Sequence, residues 1–110
     1  MKRQTGAEPS PDPGHSCLHL VAGAGQDALN DCLAQARPDD AIVFLDAGVL
    51  HLIGAGADSP GGFAGGIGFA AADLEAHGLA ETARRSKVDI LDDDAICRLL
   101  ALYRHCLTWT

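Results

Sequence analysis

Aromatic residues are scarce in this sequence, at 5% of 110 positions, with one tryptophan and one tyrosine. Any core must therefore be built from Leu, Ile, Val and Ala, which dominate its 47% hydrophobic content. Basic residues are short as well: 8 Lys and Arg stand against 15 Asp and Glu, a formal net charge of -7. Binding a phosphate backbone needs clustered cations that displace counterions, so direct contact with tRNA or DNA is not expected. The one basic cluster, Arg84, Arg85 and Lys87, reads as a solvated turn or as a docking point for an acidic partner. There is no apolar run approaching the roughly 20 residues that span a bilayer. Residues 1–16 open with Lys2 and Arg3 but lack the apolar stretch of a secretory signal. Their Pro, Gly and polar content predicts a disordered leader, followed by one domain over residues 17–110. A cytoplasmic location is the resulting expectation, and there thiols stay reduced. Cys17, Cys32, Cys97 and Cys106 are accordingly read as free thiols or redox groups rather than disulfides.

Metal and nucleotide signatures are missing too. The Cys and His residues show neither Cys-x-x-Cys nor His-x-x-x-His spacing, and a structural zinc site needs four such ligands. No metal and no cofactor is expected. The stretch from Gly54 to Gly68 is dominated by glycine but has no Gly-Lys-Ser/Thr ending. Its Gly61-Gly-Phe-Ala-Gly-Gly66 segment does not sit between a strand and a helix as a phosphate-cradling turn would. It reads as a flexible loop.

What is present alternates between two periods. Cys17 to Ala22 is a short apolar run that predicts a first strand. Asp27 can cap a helix whose Leu29, Cys32, Leu33 and Ala36 recur at i, i+3, i+4 and i+7, with Arg37 in its last turn and Pro38 as its stop. Ala41 to Leu45 is apolar without alternation, which suits a strand covered on both faces. A helical turn follows over Gly48 to Ile53. Ile67 to Ala72 predicts a third strand, Asp73 to Gly78 a short helix, and Lys87 to Leu91 a fourth strand. Asp92, Asp93 and Asp94 supply a cap and negative charge for a helix running to about His105, with Ile96, Leu99, Leu100 and Tyr103 on one stripe. Cys106 to Thr110 can form a terminal strand. The alternation predicts an α/β domain, with a mainly parallel sheet of about five strands in a three-layer sandwich and helices on both faces.

Four stretches together resemble the DsrH/TusB family, small subunits of the DsrEFH and TusBCD sulfur-relay complexes. They are Leu18-His19-Leu20-Val21; Asp31-Cys32-Leu33 through Asp40 to Leu45 and Gly48-Val49; Asp73-Leu74-x-Ala76-x-Gly78; and the run from Asp92 through Ile96 and Leu99 to Trp109. Ala47 stands where the family usually has aspartate and His77 where it usually has arginine, and the glycine-rich stretch replaces a more ordinary sequence. The resemblance implies a heterohexamer with DsrE/TusD-like and DsrF/TusC-like subunits, two copies of each. Such a complex takes persulfide sulfur from a TusA-like or rhodanese-like donor and passes it to a DsrC/TusE-like acceptor. The end is either intracellular sulfur oxidation or wobble-uridine 2-thiolation of tRNA. The main sulfur-carrying cysteine belongs to the DsrE/TusD-like subunit, and Cys32 matches the position of the DsrH branch's own cysteine.

Cys32 is thus the candidate persulfide carrier of this chain. Its place on the apolar stripe of a helix equally suits a buried structural cysteine, because free Cys is among the most buried residue types. Cys97 reads as a helix-packing residue and His19 as a satisfied core histidine. Two alternatives remain. A stand-alone thiol redox enzyme would need a resolving cysteine beside Cys32. A receiver-like signalling domain could use Asp46, after the second strand, as phospho-acceptor, but would need a lysine at the end of a later strand.

Overall fold

A computed structural model describes residues 16–55, 63 and 65–110, and within them the chain is an α/β domain with a five-stranded, all-parallel sheet. The elements run β1 (Cys17–Val21), α1 (Gln26–Gln35), β2 (Ala41–Phe44), a 3₁₀ turn (Asp46–Leu50) leading into α2 (His51–Ala55), β3 (Gly66–Ala70), α3 (Ala71–Ala76), α4 (Ala80–Ser86), β4 (Ile90–Leu91), α5 (Asp93–Leu102) and β5 (His105–Trp109). The strand order is β4-β3-β2-β1-β5.

That order explains where the helices go. From β1 to β4 each step moves to the next strand in one direction, so right-handed crossovers place their helices on one face. The step from β4 to β5 travels back across the sheet and carries α5 to the other face. The side chains follow. Leu29, Cys32, Val49, Leu52, Leu74 and Ala83 pack on Val21, Ile42, Phe44 and Phe69. On the opposite face Ile96, Leu99 and Tyr103 of α5 pack on Leu18, Ala41 and Val43. All four residues of β2 are buried, as its unbroken apolar run requires of a central strand. Phe44 and Phe69 stack with ring centroids 4.8 Å apart, concentrating the few aromatics at the centre of the larger cluster.

Several local expectations need correction. Helix α1 starts after Gly25, which supplies no side-chain cap; Asp27 lies inside the first turn, where its charge still suits the dipole. Arg37 falls beyond the end of α1. The third strand begins at Gly66 and ends at Ala70, because Ala71 and Ala72 already belong to α3. The glycine-rich loop therefore does not extend to Gly68, and its residues 56–62 and 64 lie outside the described residues. Arg84 and Arg85 are not in a turn: they occupy the last turn of α4, which ends at Lys87 in the left-handed conformation. The fourth strand is reduced to Ile90 and Leu91. Asp92 caps α5, accepting from the Ala95 N–H at 2.8 Å, but the helix stops at Leu102 and His105 opens β5. Leu100 is 45% exposed and leaves the expected stripe. Ser16 is buried and its Oγ donates to Asp39 at 3.2 Å, so the folded domain includes it. The leader expected before it lies outside the described residues.

Candidate functional site

Of the buried polar residues, Ser16, His19 and Asp40 gather where β1 and β2 begin, while His51 sits at the carboxyl end of β1 with its Nε2 2.9 Å from the Gly23 carbonyl oxygen. His19 points from β1 toward the face carrying α1, and Asp40 immediately precedes β2; they are 1% and 4% exposed. The register pairs His19 with Ile42, so Asp40, two residues before Ile42, is a diagonal neighbour of His19. The His19 Nε2 lies 2.9 Å from Asp40 Oδ2. On the other side the Trp109 indole N–H donates to His19 Nδ1 at 3.1 Å, and the two rings stack with centroids 6.1 Å apart. Indole nitrogen can only donate, so Nδ1 must present its lone pair and Nε2 carries the hydrogen that goes to Asp40. The result is a directed chain, Trp109 to His19 to Asp40, that ties β5 to β1 and β1 to the start of β2.

Asp40 collects more donors. Its Oδ1 accepts from the Cys17 backbone N–H and its Oδ2 from the Arg37 backbone N–H, both at 2.9 Å. Burial alone would raise its pKa. The two backbone donors, together with His19, outweigh that and hold the carboxyl below its ordinary value. Cys17 completes the cluster: its Sγ, a ring nitrogen of His19 and a carboxylate oxygen of Asp40 all lie within 4.8 Å of one another.

Cys, His and Asp in one cluster suggest either a metal site or an activated thiol, and the hydrogen bonding argues against both. Each ring nitrogen of His19 is already committed, so a metal would have to displace the indole or the carboxylate. An activating base needs a free nitrogen facing the thiol, and His19 has none to offer Cys17. The Cys17 thiol is pushed up, first by burial and then by the nearby Asp40 carboxylate. The arrangement holds strands together rather than building a nucleophile.

Cys32 lies in the larger apolar cluster at 0% exposure, and burial pushes its thiol up to about 11. Cys97 and Cys106 are exposed, and burial raises the Cys106 thiol. Asp46 follows β2 with φ at 52°, and its backbone N–H donates to Asp73 Oδ2 at 2.8 Å. Asp46 and Asp73 thus meet at the carboxyl end of the sheet. Lys87 lies at the other end, before β4.

Sequence reasoning placed His19 in the core but did not join it to Asp40 and Trp109. A signal was available: a histidine between two leucines in a strand, with an aspartate at the threshold of the next apolar strand. Among the described residues no helix is long and apolar enough to cross a membrane. No family model matches the chain, and no curated protein matches it.

Proposed function

We propose that the chain is an accessory subunit of a cytoplasmic sulfur-relay complex of the DsrEFH/TusBCD kind, folded as the three-layer sandwich such subunits use. It would assemble with DsrE/TusD-like and DsrF/TusC-like partners. The complex would pass persulfide sulfur from a TusA-like or rhodanese-like donor to a DsrC/TusE-like acceptor, for sulfur oxidation or tRNA thiolation. Two things support this reading: the four stretches of resemblance, and the parallel α/β architecture that fits them.

The observation that carries the accessory role is the burial of Cys32, the one thiol that the resemblance marks, whose side chain is 0% exposed in the larger apolar cluster and whose thiol burial pushes up to about 11. Persulfide transfer needs a thiolate that attacks the outer sulfur of the donor persulfide. A new S–S bond forms, the donor's S–S bond breaks, and the donor leaves as a thiolate, with no net oxidation. A thiol held near 11 supplies almost no thiolate at neutral pH. Cys32 therefore stands behind a partner's cysteine, and carries sulfur only if α1 lifts from the sheet. For a receiver-like domain, the one lysine among the described residues, Lys87, sits at the end of the strands opposite Asp46.

Intact-mass spectrometry of the assembled complex after incubation with a charged donor tests this. A gain of about 32 Da, one sulfur, is expected on the DsrE/TusD-like chain first. Adduct on this chain alone, with the partners unlabelled, overturns the accessory role.

A further inference from the structure

The two faces of the sheet are covered unequally. On the face carrying α1 to α4, eleven buried residues among those described form one cluster, all of them between Val21 and Ala83. On the other face α5 crosses Leu18, Ala41 and Val43, and its Ile96, Leu99 and Tyr103 are only partly buried there. Not one residue from Asp92 to Thr110 is buried. Leu100, Leu102 and Leu107 are 45%, 56% and 44% exposed.

The chain supplies a boundary between the two parts. Leu91 is keyed over Gly68: a Cβ on that glycine would lie 2.5 Å from the Leu91 Cδ1, so β4 is fitted closely to β3. The next residue, Asp92, has extended backbone and caps α5 with its own side chain, so the helix starts without help from the rest of the domain. At the far end β5 is an edge strand, paired with β1 alone. Trp109 fastens it, through its indole N–H to His19 and its carbonyl oxygen, which accepts from Ala22 and Gly23.

Backbone hydrogen bonds exchanged for water cost little net, so resistance to opening comes mainly from apolar burial. Releasing α5 and β5 uncovers three buried side chains, against eleven in the other cluster. A body with a core of its own, joined to a contiguous segment that buries little, opens in part before it unfolds as a whole.

We propose that residues 92–110 form a flap, α5 and β5 together, that swings out about Asp92 while β1 to β4 and their helices stay folded. The open form bares Leu18 and Val43 and leaves β1 as the edge of a four-stranded sheet. The flap stands on burial and connectivity alone, independent of any sulfur chemistry.

The chain carries a probe on each part. Its one tryptophan, Trp109, is on the flap, and Cys32 is sealed in the body. In a urea titration of the full chain, Trp109 emission should shift at lower urea than the concentration at which Cys32 reacts with a pulse of maleimide, read on its own peptide. Transitions that superimpose mean one cooperative unit and overturn the proposal. Leu99→Ala loosens α5 alone. It should move the Trp109 transition to lower urea, or abolish it with the emission already shifted in buffer, and leave the Cys32 transition where it is in the wild type. A variant in which both transitions move together, or in which Cys32 reacts without urea, overturns the proposal. Amide exchange without denaturant gives a further reading: α5 and β5 should exchange together and faster than β2, and protection of α5 and β5 equal to that of β2 overturns it.

Discussion

Replacing Cys32 separates a packing cysteine from a sulfur-handling one, and the structure sets the size of the effect. The side chain is fully buried on α1, within the cluster that includes Val21, Leu29, Ile42 and Phe44. Cys32→Ser places a hydroxyl among apolar neighbours and should cost about 1–3 kcal/mol. Cys32→Ala removes one heavy atom without adding polarity, and should cost about 1 kcal/mol from lost contact and a small void. For a domain of this size each kcal/mol lowers the melting temperature by about 4 °C. The serine variant should therefore melt about 4–12 °C below the wild type and the alanine variant about 4 °C below it, read by circular dichroism. Thiol accessibility gives a second readout. Cys97 and Cys106 should react with a maleimide in the native protein, and Cys32 only as the protein unfolds. A serine variant as stable as the wild type, with native Cys32 labelling as fast as Cys97, would refute the packing argument.

Three further outcomes follow from the strand-joining cluster and its surroundings. Trp109→Phe keeps an aromatic ring but loses the indole N–H that His19 Nδ1 accepts, and should lower stability by about 1–2 kcal/mol in urea denaturation, because a buried acceptor is left unpaired; an unchanged midpoint counts against the chain of bonds. Asp40 is held below its ordinary value in the folded state, so its contribution is fully present above the unfolded value of about 3.9 and is lost as pH falls through the folded one. Wild type should therefore lose more stability between pH 5 and pH 2 than Asp40→Asn does; parallel pH profiles count against it. Gly48→Ala drives a Cβ into the Val21 carbonyl oxygen, where backbone rather than a flexible side chain must yield. A loss near 3 kcal/mol is expected from such overpacking, and a thermal melt matching the wild type would show that the turn can shift.

The general architecture was legible because it rests on local signals. The unbroken apolar run Ala41 to Leu45 marked a central parallel strand, and the spacing of Leu29, Cys32, Leu33 and Ala36 marked the buried stripe of α1. Helix α4 was not legible, since only Ala83 of its seven residues is buried and no apolar period announces it. The short β4 was overestimated because Val88 and Ile90 alternate like strand residues, while pairing with β3 extends only to Ile90 and Leu91. The His19 cluster joins residues 21 and 90 positions apart, and only the strand order brings them together. In the sequence Gly48 only opens a helical turn; that it lies against the Val21 carbonyl depends on how the 3₁₀ turn seats on β1.

We propose this chain as an accessory subunit that assembles with homologous DsrE-like and DsrF-like chains. Co-expression with those chains, followed by size-exclusion chromatography and mass spectrometry at micromolar concentration, tests it most directly. The expected result is one heteromeric species containing two copies of each chain, with persulfide sulfur entering through the DsrE-like cysteine. Elution of this chain apart from both partners, folded and at its own mass, would contradict it.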